Sequence, residues 1–141
     1  MTTYFDTSAI VKLLVVEERS DRADVLWDSA DLVVTSELSY AETRAALAAA
    51  RRAGRLTPSS LVEAKEAFGE RFADIHHVEV TTDVVRSAGD LVEEHSLRGY
   101  DAVHLASALA FEDPHLILVT WDEDLARAGR RLGFNLGGGS G

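Results

Sequence analysis

The sequence predicts an α/β fold: a five-stranded, mainly parallel sheet flanked by helices on both faces. Three observations predict it. Short apolar strand-like runs alternate with longer helical runs, and parallel neighbours need such crossover connections. No linker long enough to separate two domains interrupts the 141 residues, whose 46% hydrophobic content is enough for a real core. The first and fourth strand-like runs also end on an aspartate followed by a helix start, the edge at which open α/β sheets collect their ligands.

The elements follow in order. Thr2-Thr3-Tyr4-Phe5-Asp6 reads as the opening strand, near 2 to 6, with Thr7 and Ser8 starting a helix near 8 to 16. A second helix is expected over 20 to 29, a strand over 32 to 35 and an alanine-rich helix over 37 to 53. Gly54 caps that helix, and Pro58 lies in the first turn of the next, 58 to 73, so the two should form an antiparallel hairpin. A strand near 77 to 80 precedes helices over 82 to 96 and 100 to 112, the latter stopped by Pro114. Leu116-Ile117-Leu118-Val119-Thr120-Trp121-Asp122 repeats the design of the opening strand, and a helix follows over 123 to 132. Gly133 separates it from a closing strand over 134 to 136. Residues 1–136 are the expected domain, and Gly137-Gly138-Gly139-Ser140-Gly141 a flexible tail.

The bulk numbers exclude several classes. With no cysteine there are no disulfides, thiolate zinc sites or cysteine nucleophiles. No run approaches the roughly 18 apolar residues of a membrane span, and no leader pattern opens the chain, so a soluble, cytoplasmic protein without membrane contact is expected. A net charge of −10 counts against a simple electrostatic binder of nucleic acid. It does not count against an enzyme whose bound cations offset a negative cleft. Arg44, Arg51 and Arg55 align by spacing on one side of a helix, and Arg127, Arg130 and Arg131 fall on the last one; ordinary solvated faces explain either group.

The acids carry the chemistry. Glu42 has Leu38, Ala45 and Ala46 as helical neighbours, so it falls on a largely apolar side, where an acid needs a partner. Asp101 shares a helical side with Leu97, Leu105 and Ala108. A helix cap for Asp101, a buried pair with an arginine for Glu42, and an N-cap for Asp122 are the structural alternatives. Asp124, two residues on, reaches the same centre only if the helix starts near Asp122. Carboxylates about 4 Å apart repel by roughly 4 kcal/mol at an effective dielectric near 20, a cost a divalent cation removes. Oxygen ligands suit Mg²⁺ or Mn²⁺, and the fitting chemistry is phosphodiester hydrolysis.

Asp6-Thr7-Ser8-Ala9, Glu42 within its helix, Asp101-Ala102-Val103-His104-Leu105-Ala106 and Thr120-Trp121-Asp122-Glu123-Asp124-Leu125, in this order, resemble the PIN-domain ribonucleases. The likeness is closest to the VapC toxins of bacterial toxin-antitoxin modules and covers the chain up to its Gly-rich end. The resemblance implies a PIN-like fold and Mg²⁺- or Mn²⁺-dependent endonuclease activity on RNA. It also implies inhibition by a cognate antitoxin protein. By motif match Asp6, Glu42, Asp101 and Asp122 would form the catalytic and metal-binding acids, with Asp124 a possible extra ligand. Thr7, Ser8 and Thr120 would orient carboxylates by hydrogen bonds.

Other residues read differently. His104 is expected to be a packed helix histidine, and His76, His77, His95 and His115 lack zinc-like spacing. Lys12 is expected to face solvent, Trp27 the core and Trp121 the border of a cleft, while Arg98 is either a phosphate contact or a helix-end charge. Two rival functions remain. One is a phosphotransfer enzyme using Asp6 as nucleophile, which would place a second acid where this chain has Ser8. The other is a noncatalytic RNA- or protein-binding module using the arginine face or the apolar hairpin, which could also serve a homodimer or an antitoxin.

Overall fold

A computed structural model of the chain describes residues 1–15 and 20–139. The five strands are β1 (Thr2–Phe5), β2 (Leu32–Ser36), β3 (His76–Val78), β4 (Ile117–Thr120) and β5 (Asn135–Gly138). They form one sheet in the order β3-β2-β1-β4-β5, every pair parallel. The helices are α1 (Thr7–Leu14), α2 (Ser20–Ser29), α3 (Leu38–Arg52), α4 (Pro58–Ala73), α5 (Thr82–His95), α6 (Gly99–Ala110) and α7 (Glu123–Arg131). The predicted architecture is therefore observed. The predicted end of α1 at Val16 lies outside the described residues, as do Ser140 and Gly141.

Side chains alternate across the strands, and each face carries its own core. Tyr4, Val34 and Leu118 pack with α5, α6 and α7 through Val84, Ala88, Leu91, Leu105 and Leu125. Phe5, Val33 and Val119 face the opposite way and meet Ala9 and Ile10 of α1, Trp27 of α2 and Phe68 of α4. The α3–α4 hairpin forms as expected, closed by Leu47, Ala50, Leu56 and Ala64 and by Tyr40 stacked on Phe68 with ring centroids 5.5 Å apart. Gly54, at φ +78°, makes the turn that ends α3.

Three boundaries differ from the sequence reading. The third strand starts one residue early, because His77 stacks on Phe72 at 4.0 Å and its Nε2 reaches the Phe72 carbonyl at 2.7 Å. Helix α3 stops at Arg52, so Arg55 leaves the helical register of Arg44 and Arg51 and lies in the connection. The Gly-rich end does not begin as a flexible tail: Gly137 and Gly138 are in β5, paired with Val119 and Thr120. Ladder hydrogen bonds ask nothing of a side chain, and composition alone does not reveal them.

The strand order sets the place of the site. From β1 the chain builds outward through β2 to β3, then crosses by α5 and α6 to β4 on the other side of β1. The connections leaving β1 and β4 therefore diverge, opening a crevice at the carboxyl ends of these two neighbours.

Candidate active site

Asp6 and Asp122 occupy equivalent places, each the N-cap of the helix that follows its strand. Asp6 Oδ1 accepts from the Ala9 amide at 3.0 Å, and Asp122 Oδ1 from the Leu125 amide at 2.9 Å. Such a cap contributes about 1 kcal/mol to its helix. Asp6 is also held beside β4, its own amide donating to the Val119 carbonyl at 3.2 Å. Ser8 Oγ donates to Asp6 Oδ1 at 2.7 Å and Thr120 Oγ1 to Oδ2 at 2.6 Å, so both oxygens of a carboxylate only 3% exposed are fixed.

Glu42 arrives from the other side. The start of α3 is pinned by Thr35, whose Oγ1 lies 2.6 Å from both the Phe5 carbonyl and Ser39 Oγ, and by Ser36 Oγ accepting from the Leu38 amide. One turn on, Glu42 Oε1 accepts from Thr7 Oγ1 at 2.7 Å and lies 2.6 Å from His104 Nε2. His104 Nδ1 lies 2.8 Å from the Tyr4 hydroxyl. The structural alternative for Glu42, a buried pair with an arginine, is not what the chain forms; its partner is an imidazole. His104 is packed and buried as predicted, but it is also part of this wall.

Asp101 does not cap α6; the N-cap is Arg98. The Arg98 guanidinium instead bridges two acids, donating from Nε to Asp101 Oδ2 at 2.8 Å and from Nη2 to Asp122 Oδ2 at 2.9 Å. Asp6, Glu42, Asp101 and Asp122 line one open cavity of about 540 Å³, together with Arg98 and His104. Lys12 also lines it, with Nζ 5.7 Å from the centre of the Trp121 ring, and so does Arg55. Lys12 is therefore a cavity residue rather than the solvent-facing lysine expected. Trp121 borders the cleft as anticipated.

Asp124 is the exception among the predicted acids. With Asp122 as the cap, Asp124 starts on a different side of α7; it is exposed, and its Oδ1 accepts from Arg127 at 2.9 Å. The structure does not bring it to the cavity.

Electrostatics mark three of these acids, Asp6, Asp101 and Glu42. Burial pushes the Asp6 carboxyl above its ordinary value despite the nearby His104 charge and the Thr120 and Ser8 hydrogen bonds. Burial also raises Asp101, against the Arg98 hydrogen bond and with help from Asp122. For Glu42, burial acts upward, but the His104 hydrogen bond and charge and the Thr7 hydroxyl outweigh it, leaving the carboxyl below its usual range. Burial disfavours the charged forms of Asp6 and Asp101, and all four acids offer hard carboxylate oxygens, the set a hard divalent cation takes. Among the described residues no three acidic or imidazole side chains stand close enough to hold an ion as arranged. Their oxygens are turned to Arg98, hydroxyls and amides.

Comparison with known proteins defines the class. The family model for the PIN domain matches residues 3–131, and the chain belongs to that family. Its relatives there are VapC proteins. Ribonuclease VapC45 of Mycobacterium tuberculosis is 50% identical over 122 residues, 86% of this chain and 85% of the relative. The crystal structure of VapC20 from the same organism, described as a sarcin-ricin loop cleaving toxin, aligns with a TM-score of 0.70. It is 25% identical over 90% of this chain and 95% of the other. VapBC2 of Rickettsia felis, solved on a DNA fragment from its promoter, shares the fold with a TM-score of 0.64. Identity there is 14% over 98% of both chains.

The sequence reading took His104 as packed and Lys12 as solvent-facing and left Arg98 between a phosphate contact and a helix-end charge; the structure places all three in the cavity wall. For His104 the signal existed: it lies three residues after Asp101, on the same side of α6, and Tyr4 lies two before Asp6, on the same side of the opening strand. For Arg98 a signal existed too, its place three residues before Asp101, whereas for Lys12 only the packing of α1 beside the crevice brings it there.

Proposed function

We propose that this chain is a divalent-metal-dependent endoribonuclease that hydrolyses RNA phosphodiester bonds and acts as a toxin neutralised by a cognate antitoxin protein. The observation that carries the reading is the convergence of Asp6, Glu42, Asp101 and Asp122, from four separate parts of the chain, on one cavity at the switch point of the sheet. The 50% identity to a VapC ribonuclease and the likeness to a VapC toxin supply the RNA substrate and the toxin role. Self-association is part of the same reading, through the α3–α4 hairpin that leaves Tyr40 and Val62 exposed.

Asp6, Glu42, Asp101 and Asp122 would hold the ion, Mg²⁺ or Mn²⁺. When bound, such an ion lowers the pKa of a water for in-line attack and offsets charge on the leaving oxygen. Ser8 and Thr120 orient the Asp6 carboxylate by hydrogen bonds to its two oxygens. Thr7 orients Glu42 through one oxygen. Arg98, Lys12 and Arg55 add cations suited to a phosphate backbone to a cavity wall that the four acids otherwise make negative. A phosphotransfer role for Asp6 is disfavoured, because both its oxygens accept hydrogen bonds and Ser8 stands where a second acid would be needed.

The test is cleavage of a panel of structured RNAs, a sarcin-ricin stem-loop among them, with Mg²⁺, Mn²⁺ or EDTA. Wild type is expected to cut at least one of them only with metal, and Asp6→Asn and Asp101→Asn to lose at least a hundredfold in rate, a loss of about 2.7 kcal/mol in transition-state stabilisation. Equal RNA loss in wild type and both variants removes the nuclease reading. RNA binding that survives EDTA without cleavage turns it into a binding module.

A further inference from the structure

Glu42 is the one acid of the cavity wall whose neighbours form a chain reaching into the core. Tyr4 is fully buried in β1, His104 is 2% exposed in α6, and Glu42 sits at the cavity edge of α3 with its side chain 23% exposed. The contacts run Tyr4 hydroxyl to Nδ1 at 2.8 Å and Nε2 to Glu42 Oε1 at 2.6 Å. The rings of Tyr4 and His104 meet edge to face, with centroids 6.0 Å apart. An ionised carboxylate only accepts, so Nε2 donates in this bond, while Nδ1 on the far side of the ring meets the Tyr4 hydroxyl. Thr7 Oγ1 adds a second donor to the same oxygen.

All of this is spent on one oxygen. Oε1 takes both donors, while Oε2 has no hydrogen-bond partner among the described residues. His104 lines the cavity with both ring nitrogens engaged, Nδ1 at Tyr4 and Nε2 at Glu42, so the imidazole holds the carboxylate from one side. Anchoring one oxygen of Glu42 fixes the side chain while its twin stays open to a ligand in the cavity. We propose that His104, braced by Tyr4, is a positioning residue that holds Glu42 in its binding rotamer. The inference rests on the metal-dependent nuclease reading above.

The experiment is Mn²⁺ binding to the full chain by calorimetry, without RNA, for wild type, His104→Leu, His104→Gln and Tyr4→Phe. Melting curves check the fold. Removing a supporting partner of a ligating group weakens metal affinity by about 10- to 100-fold, and His104→Leu is expected to fall in that range. The amide nitrogen of His104→Gln lies near the position of Nε2 and should recover most of the loss, an outcome that a purely space-filling role does not produce. Steady-state cleavage of an RNA that wild type cuts should show kcat lowered and KM for RNA little changed. Mn²⁺ affinity unchanged in His104→Leu overturns the inference and leaves the nuclease reading intact. If His104→Leu does not fold, Tyr4→Phe decides in its place: weaker Mn²⁺ binding supports the bracing role, and wild-type binding overturns it. Wild type that neither binds Mn²⁺ nor cuts RNA removes the nuclease reading and the inference with it.

Discussion

Asp6 does two jobs that pull against each other. As the cap of α1 it stabilises a helix, and as a buried acid it carries an unfavourable charge. Because its folded-state pKa is raised, the folded chain holds its proton more tightly than the unfolded chain. Between the unfolded and folded values, stability falls as pH rises, and the penalty is complete above the folded value. Asp101 behaves the same way, while Glu42, shifted downward, contributes stability that is lost only as pH falls through its lowered value. In EDTA the chain is therefore expected to melt higher as pH falls through the raised Asp6 and Asp101 values, then lower as pH falls further through the lowered Glu42 value. Asp6→Asn keeps an oxygen for Ser8 and Ala9, and the Thr120 hydroxyl can turn to accept. It should stabilise the metal-free chain at neutral pH by about 1 kcal/mol and flatten the pH slope. A lower melting point for Asp6→Asn in EDTA would show that the buried charge is already compensated.

At the scale of elements, the β4–α7–β5 unit holds Asp122 and Trp121 against the cavity. The backbone approaches closely at Gly138, at φ +85°, where an added Cβ would stand 2.8 Å from the Thr120 carbonyl oxygen and 3.0 Å from the Trp121 ring. Gly138→Ala should therefore cost about 2 kcal/mol and disturb the wall that Trp121 forms. Gly89, exposed within α5, has nothing within 4 Å of an added Cβ. Gly89→Ala should instead stabilise by about 0.5–1 kcal/mol through helix propensity. Urea midpoints of the two variants should move in opposite directions. A shift of the same sign in both would mean that the close packing of β5 against Trp121 is not what the strand ending provides.

At the scale of the molecule, a chain of net charge −10 gathers four acids into one cavity and sets Arg98, Arg55 and Lys12 around them. Such a site favours any cation that binds the folded state alone. Binding of that kind stabilises by about 2.7 kcal/mol when the free ion is a hundredfold above its Kd. Wild type is expected to melt at higher temperature as millimolar Mg²⁺ or Mn²⁺ is added, and Asp101→Asn to lose most of that rise. An equal rise in both would assign the effect to the diffuse negative charge of the surface.

The local designs were written in the sequence. The strand-to-helix endings at Asp6 and Asp122, the Gly54 turn, the alternation that faces Tyr4 and Phe5 to opposite sides, and the placing of Glu42 and Asp101 on apolar helix sides all depend on residues within one or two turns of each other. Short-range spacing therefore determines them, and with them the fold class and the candidate acids. What depends on distant segments meeting was decided by the tertiary structure alone. The strand order that makes β1 and β4 neighbours, the imidazole that takes Glu42 in place of an arginine, the guanidinium that spans Asp101 and Asp122, and the exclusion of Asp124 are settled by how helices pack around the crevice. The closing strand belongs there too: Gly137 and Gly138 pair through backbone groups every residue carries, so no side chain marked them as part of the sheet.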